Sequence, residues 1–301
     1  MSKLSWTLLL VASMAGIAAF YPIVKALNGS MDPYLIAFFR FSIASLILVP
    51  VMAYRHSLRL PPINDLLFFV FLAFCAVAPT ALIVMGIERT NSVVAAILIN
   101  SNALMVALLA PLLISEAMTY QKILGFGIGF LGVIFVVLNG NNPLIHVDGI
   151  YILGALILLL GALLGAVNKV YAKAYVRKYD GLYVTFFSVT LGSVLLAILT
   201  ASRGGFAVLP SATSSALLSM LVIGVISTAI PWTIWNSSLK HLDAHVAASF
   251  NLLIPVFAAL YSFLFLAEAF TAWMLLGLLL TSVGIYIVQR EEKIAPIVSN
   301  I

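Results

Sequence analysis

Three side-chain amides stand in stretches that are otherwise apolar enough to cross a membrane. Asn100 and Asn102 lie in "AILINSNALMVALL", and Asn251 lies in a similar stretch of the second half. An amide both donates and accepts hydrogen bonds. In lipid it finds no water, so it faces the interior of a helix bundle or a wet cavity. These amides could bind a polar or zwitterionic solute near the midplane, or they could bond neighbouring helices together.

Asn100 and Asn102 cannot both face one cavity, because residues two apart on a helix lie about 200° apart around its axis. We expect one amide to face the solute and the other to bond a neighbouring helix. When the two halves of the chain are aligned, Asn251 falls opposite Ile99, next to Asn100. Amides from both halves are therefore predicted at related depths.

A second candidate lies in "IPWTIWNSS", which begins at Ile230. Trp232 and Asn236 are four residues apart and share a helix face, which combines a large ring with an amide. Pro231 stands in mid-helix, which favours a central, cavity-lining position for Trp232. Trp235 is predicted nearer the membrane interface, where tryptophans are typically anchors.

Arg40 and Lys169 are cations within predicted spanning helices, where a charge is costly. Arg40 could pair with a substrate carboxylate, but both residues stand near helix ends, so we expect them to extend to the headgroups. Tyr21 could line a vestibule or belong to an interfacial aromatic belt. With Asn168, which precedes Lys169, the candidate substrate-binding residues are Asn100, Asn102, Asn251, Trp232, Asn236, Tyr21 and Asn168.

Pro79, Pro231 and Pro255 stand inside predicted spanning helices and are candidate hinges. Proline has no N–H, so it frees a backbone carbonyl one turn earlier. For Pro255 this carbonyl lies near Asn251. It could act as a hinge or a binding acceptor, or the kink could simply be tolerated.

The acidic residues are assigned to loops and helix ends, with no carboxylate in mid-membrane. Proton antiport through a buried acid is therefore not supported, while facilitated exchange or diffusion stays open. Glu116 and Glu268 open short turns, and we predict that each caps the helix that follows it.

The stretch "KHLDAH" contains His241, Asp243 and His245 and could suggest a metal site. Asp243 is better explained as the N-cap of the next helix, so no metal or other cofactor is expected. An enzyme would need His, Asp or Glu clustered at membrane depth, and we predict that the protein is not one.

Ten helices must position these residues. The chain has 301 residues, of which 63% are hydrophobic and 8% charged, which indicates an integral membrane protein. Stretches of about 20 mainly apolar residues can span a bilayer. Ten qualify, near Trp6–Lys25, Pro33–Ala53, Leu66–Gly86, Ser92–Leu113, Gln121–Asn139, Gly149–Tyr171, Leu182–Ala201, Leu217–Ser237, Ala244–Ala267 and Ala272–Gln289.

Basic residues concentrate at alternate ends of these stretches, which sets orientation because Lys and Arg stay on the cytoplasmic side. Both termini are therefore predicted to be cytoplasmic, in the plasma (inner) membrane. The basic residues form no patch that could follow a nucleic-acid backbone, so no nucleic-acid partner is expected. The richer set is Lys3, Arg55, Arg59, Lys122, Lys173, Arg177, Lys178, Lys240, Arg290 and Lys293, and the other is Lys25, Arg89 and Arg203.

The chain consists of two similar halves. "SEAMTYQKILG" from Ser115 matches "AEAFTAWMLLG" from Ala267 at an offset of 152 residues, and an offset of 148 pairs Lys25 with Lys173 upstream. We predict repeats over residues 1–140 and 149–301, joined by an outer linker at 141–148. Each repeat has five crossings, so the two are inverted in the membrane, as in many transporters.

Three features resemble a known family: "FFRF" at Phe38–Phe41, Pro255 in the ninth crossing, and an E-x-x-T…G…G pattern that ends each half. They are similar to the EamA-type branch of the drug/metabolite transporter superfamily over nearly the whole chain. The resemblance implies ten helices, cytoplasmic termini and the export of small metabolites, often amino acids. The first half departs from the pattern, with Ala103 opposite Pro255.

The sequence therefore predicts an all-α membrane protein of two inverted five-helix repeats that exports a small organic metabolite by alternating access. The alternatives are a membrane scaffold, a channel, which would need rings of charge or a filter, or an enzyme. Lipid and the solute are the expected partners. Whether Gly125-x-x-x-Gly129 and Gly161-x-x-x-Gly165 pack within a monomer or between two is left open.

Overall fold

The computed structural model describes residues 3–27, 32–55, 59–87, 89, 98–99, 101–116, 118–138, 149–207, 213–266 and 271–290, and within these ranges the chain is helical, without strands. A π-helical turn, Val225–Ala229, joins the helix that ends at Gly224 to the one that begins at Ile230, and a 3-10 turn, Phe250–Leu252, joins the helix that ends at Ser249 to the one that begins at Leu253. The helices are α1 Lys3–Ala18, α2 Phe20–Leu27, α3 Pro33–Tyr54, α4 Ile63–Ile87, α5 Asn102–Ile114, α6 Tyr120–Leu138, α7 Gly149–Lys178, α8 Gly181–Ser202, α9 Ser214–Gly224, α10 Ile230–Ser238, α11 Ala244–Ser249, α12 Leu253–Leu266 and α13 Ala272–Arg290.

Ten apolar helical segments coincide with the ten predicted crossings. Six of those described are long and apolar enough to span a membrane: Tyr34–Tyr54, Ile63–Ile83, Gly149–Lys178, Gly181–Ser202, Ser214–Ser238 and Ala244–Phe265. Four shorter ones are Leu4–Ala18, Asn102–Ile114, Tyr120–Phe135 and Leu275–Val288. The chain is thus an all-α, multi-pass membrane protein whose ten membrane-crossing segments form two inverted repeats.

The start of α3 illustrates how local sequence sets a helix boundary. The Asp32 side chain accepts hydrogen bonds from the backbone N–H groups of Tyr34, at 2.8 Å, and Leu35, at 3.3 Å. Pro33 follows as the first helical residue, where its missing N–H costs nothing. These two residues fix where the second crossing begins.

The contacts between the halves follow a pseudo-two-fold pattern. α3 packs on α8, and α6 packs on α13, and each pair consists of repeat equivalents. The contact of α4 with α7 has its counterpart in that of α1 with α10, and α5 with α7 corresponds to α1 with α12. The contacts between equivalent helices thus lie on the axis and the others are made twice, as expected for inverted repeats around an axis in the membrane plane.

Glycines allow α6 and α13 to cross at this axis. A Cβ added to Gly125 would lie 2.9 Å from the carbonyl oxygen of Gly284, and one added to Gly132 would lie 2.6 Å from that of Gly277. The four residues are repeat equivalents at the offset of 152, so the same contact occurs on both sides of the axis. Gly129 also faces Gly284, which places the Gly125-x-x-x-Gly129 motif at a contact within the monomer.

A buried ion cluster joins the halves at one end of the bundle, called here the Glu116 end. The Glu116 carboxylate accepts hydrogen bonds from the Ala244 N–H at 2.9 Å and from the His245 ring at 2.8 Å, and it forms an ion pair with Lys173. Glu116 therefore caps α11 of the other half. The prediction that it caps the helix following it was wrong, because α11 offers free N–H groups beside two basic side chains.

Asp243 occupies the N-cap position of α11 but makes no capping bond with its side chain. Its carboxylate instead accepts from Lys173 Nζ at 2.8 Å. His241 lies apart from this cluster, stacked on Trp6 with a ring-centroid distance of 4.9 Å. Asp243 and His245 thus belong to the Glu116 cluster, while His241 contacts Trp6.

Candidate functional site

A cavity of about 200 Å³ lies between the two halves. Every crossing except the α6 and α13 pair contributes a lining residue. Pockets for drug-sized ligands typically measure about 300–1,000 Å³. The cavity is therefore suited to a small metabolite.

Repeat-equivalent positions face each other across this cavity. Ile17 and Gly165 both line it, and so do Arg40 and Ser188, two pairs at the offset of 148 residues. Asn102 and Ile254 form a third pair, at the offset of 152. The cavity thus surrounds the pseudo-two-fold axis, where a transporter of inverted repeats binds its solute.

Four of the predicted amides line the cavity: Asn102, Asn168, Asn236 and Asn251. The NH₂ groups of the last three donate to protein oxygens: Leu72 O at 2.8 Å, Thr185 Oγ1 at 2.8 Å and Ala248 O at 3.0 Å, respectively. Their amide oxygens receive no hydrogen bond from the described residues. One side chain can therefore both hold a helix in place and offer an acceptor to a solute, so the two roles considered from the sequence are compatible. Binding of a solute by these amides stays a prediction.

Two predicted site residues cannot be placed. Asn100 lies outside the described residues, as does the Tyr21 side chain. The expectation that Asn100 and Asn102 face different ways is consequently untested. Asn102 itself lines the cavity and accepts a hydrogen bond from Lys169.

Trp232 and Trp235 both line the cavity. Trp232 packs edge-on against Phe41, with centroids 5.4 Å apart. Trp235 is only 7% exposed, so its prediction as an interfacial anchor was wrong. The reason is the position of α10, which packs between α1 and α8 and keeps its second tryptophan inside the bundle.

Arg40 lies over the π-helical turn that precedes Pro231. Because Pro231 has no N–H, the Ser227 carbonyl lacks its usual helical donor. Arg40 Nη2 approaches that carbonyl at 3.5 Å, and Arg40 Nε donates to Thr228 Oγ1 at 2.7 Å. The guanidinium also stacks 4.6 Å from the centre of the Phe20 ring.

The predicted extension of Arg40 and Lys169 to the headgroups was therefore wrong, since both line the cavity. Lys169 Nζ donates to Asn102 Oδ1 at 2.9 Å and lies 6.0 Å from the centre of the Trp235 ring. The predicted crossing ended at Tyr171, two residues after Lys169, but the helix continues to Lys178. Lys169 therefore precedes the helix end by nine residues, about 13 Å of rise, which exceeds the reach of a lysine side chain.

Of the candidate hinges, Pro79 lines the cavity and Pro231 and Pro255 are buried. Pro231 follows the π-helical turn, and Pro255 follows the 3-10 turn within three residues. Irregular turns before both prolines are consistent with hinges. Movement at these positions stays a prediction.

Cys75 and Ser188 also line the cavity and were not predicted from the sequence. Small side chains in apolar helices give no signal of polarity or periodicity that marks a site. The repeat alone could have indicated Ser188, because it pairs with Arg40 at the offset of 148.

The position of Cys75 gives a direct test of the cavity. It is the only cysteine of the chain and lines the cavity wall. For a transporter of the kind that the sequence resembles, we expect a small thiol reagent to react with Cys75 when the cavity opens, and to block solute flux because the adduct fills most of a space of about 200 Å³. Cys75→Ala should keep its transport in the presence of the reagent, as measured by flux into liposomes. Equal inhibition of both proteins would contradict this assignment.

Comparison with known proteins gives the same architecture. The EamA-like transporter family matches residues 4–138 and 152–290. An uncharacterized transporter of Archaeoglobus fulgidus is 26% identical over 286 residues, 95% of this chain and 97% of that protein. A probable terminal-alkyne amino-acid exporter of Streptantibioticus cattleyicolor is 25% identical over 97% of this chain and 95% of its own. A crystal structure with 16% sequence identity superposes with a TM-score of 0.82, covering 97% of this chain and 99% of the other, and so shares the fold.

Proposed function

The chain belongs to the EamA-like transporter family, and from this premise we propose that it exports a small organic metabolite, an amino acid or a similar compound, by alternating access. The family and the relatives named above are transporters and not enzymes.

One observation carries this proposal: the cavity is lined by equivalent residues of two inverted repeats. Inverted repeats can exchange conformations, which opens one central site first to one side and then to the other. Rearrangement needs only that the halves move against each other around the shared cavity. We propose repeat boundaries of residues 1–140 and 149–301 for these moving units.

Three groups of contacts close the Glu116 end. Besides the Glu116 cluster, Asp65 accepts hydrogen bonds from Tyr175, Tyr179 and Lys178, and Trp6 stacks on His241. The basic residues concentrate at this end, so we propose that it faces the cytoplasm and that the protein lies in the plasma (inner) membrane. The structure would then represent a state closed to the cytoplasm.

Export of an amino-acid-like solute is supported by the relative named as a probable terminal-alkyne amino-acid exporter. The wall chemistry agrees with such a solute. Amide oxygens can accept from an ammonium group, and the tryptophan rings can pack on an apolar side chain.

Flux in liposomes tests the proposal. Purified protein would be reconstituted and screened with labelled amino acids, nucleobases and organic cations, with and without a pH gradient. We expect saturable flux of at least one solute, and we expect Trp232→Ala to lower it about tenfold, since the variant removes a wall of the cavity.

Trp273→Ala is the matched control. Trp273 stacks on Phe135 at 5.6 Å, is 46% exposed and does not line the cavity. It should keep flux within about twofold of the unmodified protein, as expected for a surface substitution. Correctly inserted protein that moves none of these solutes would favour the scaffold alternative, and flux that never saturates would favour a channel.

A further inference from the structure

The cavity carries positive charge. Arg40 and Lys169 are its charged lining residues, and no Asp or Glu lines it among the described residues. Interactions between charges are stronger in such a site than in water, because the effective dielectric constant is lower. Such a wall favours negatively charged groups over positively charged ones.

Among the described residues Lys169 has no acidic partner, unlike the other described lysines of its helix. Its Nζ donates to the neutral amide of Asn102. Lys173, four residues further along α7, pairs with both Glu116 and Asp243, and Lys178 pairs with Asp65. The absence of a carboxylate is thus specific to the lysine that faces the cavity.

An ammonium group held at membrane depth by neutral partners alone is costly, and such groups are rare unless they serve a function. The Asn102 amide fixes the position of the ammonium but supplies no negative charge. The ammonium therefore suits an incoming anionic oxygen.

On the basis of the transport function proposed above, we infer that the solute bears a carboxylate, which binds the Lys169 ammonium beside Asn102. Anionic and zwitterionic carboxylates enter the cavity, and organic cations are excluded by Lys169 and Arg40. Arg40 is already engaged by Thr228, the Ser227 carbonyl and the Phe20 ring, so the Lys169 ammonium is the main donor to the solute. A phosphate group would need more donors than one ammonium, and a carboxylate is the better fit. Asn102 acts as a positioning residue for the ammonium.

The rate at which Cys75 reacts with charged reagents measures this selectivity, and the measurement does not require transport. Purified protein would be labelled with methanethiosulfonate reagents of similar size, one negatively and one positively charged, and the ratio of their rates measured. We expect Lys169→Gln to lower the negative-to-positive ratio about tenfold, because removal of one charge from so small a site changes the local potential strongly. Lys169→Arg should restore it.

Two further variants separate charge from folding. Asn102→Asp keeps the shape of the side chain and the lysine but supplies an internal counter-ion, so it should lower the ratio as Lys169→Gln does. Lys240→Gln removes the same net charge from a residue that pairs with Asp180 and does not line the cavity. Lys240→Gln should keep the ratio of labelling rates within about twofold of the wild-type value, since surface charges are largely screened by salt.

Competition by small anions then identifies which anionic group the site binds. Small carboxylates should slow Cys75 labelling in the wild-type protein and not in Lys169→Gln. An unchanged ratio in both Lys169→Gln and Asn102→Asp, or stronger protection by inorganic phosphate than by carboxylates, would overturn the inference.

The outcome is independent of the transport proposal. If the protein labels faster with the anionic reagent but carries no solute in liposomes, the carboxylate site is supported and the transport proposal is contradicted. If the protein carries solutes but labels faster with the cationic reagent, the carboxylate site is contradicted and the transport proposal is supported.

Discussion

Gly284→Ala is expected to destabilise the folded protein severely. An added Cβ would lie 2.5 Å from the Gly125 carbonyl oxygen and 2.6 Å from Gly129 Cα. These are backbone atoms of the facing helix, so no side chain can move to make room. Overpacking of a core costs about 1–3 kcal/mol where side chains can yield, and we expect more than about 3 kcal/mol here. The measurement is the fraction of monodisperse protein extracted in detergent and its apparent melting temperature.

Gly127→Ala on α6 is the matched control. No atom lies within 4 Å of a Cβ added at this position, and alanine favours a helix over glycine by about 1 kcal/mol. This variant should be as stable as the unmodified protein or slightly more so. If both variants behaved alike, the close crossing of α6 and α13 at the pseudo-two-fold axis would be wrong.

Glu116→Gln is expected to have the second largest effect. Glu116 and Lys173 side chains are each 4% exposed, and the carboxylate also binds the Ala244 N–H and the His245 ring. Removing one partner of a buried ion pair costs about 3–5 kcal/mol, because the remaining charge is left uncompensated. The apparent melting temperature, followed through the four tryptophans, should fall by roughly 5–10 °C.

Asp243→Asn provides the comparison for this variant. Asp243 pairs with the same lysine at 2.8 Å, but its side chain is 41% exposed. Exposed ion pairs contribute about 0–1 kcal/mol, so the melting temperature should change by no more than about 2 °C. A fall as large as that of Glu116→Gln would mean that burial does not control the strength of this cluster.

The same cluster predicts a dependence of stability on pH. Burial by itself would raise the pKa of Glu116, but hydrogen bonds from His245, the Ala244 N–H and Lys173 outweigh it and lower the pKa to about 2. A depressed pKa means stabilisation that is fully present above about 4.5 and is lost as the pH falls towards about 2. Across that window the unmodified protein should lose about 3 kcal/mol relative to Glu116→Gln. Parallel pH profiles for the two proteins would contradict this.

The sequence by itself determined the ten crossings, their division into two inverted halves and the placement of the four described amides inside the bundle. Each of these follows from patterns along the chain. Hydropathy fixes which stretches enter lipid, the odd number of crossings per half fixes their inversion, and the absence of water in lipid forces polar groups inward. None of these steps requires knowledge of which helices touch.

Only the tertiary structure decided which charges meet. Glu116 caps a helix that begins 128 residues later, Arg40 reaches a carbonyl freed by a proline far along the chain, and Lys169 meets Asn102 rather than the membrane surface. Position along one helix cannot reveal such partners, because they depend on how the helices cross. A buried charge takes the best partner that packing brings within reach, and packing is set by the whole bundle.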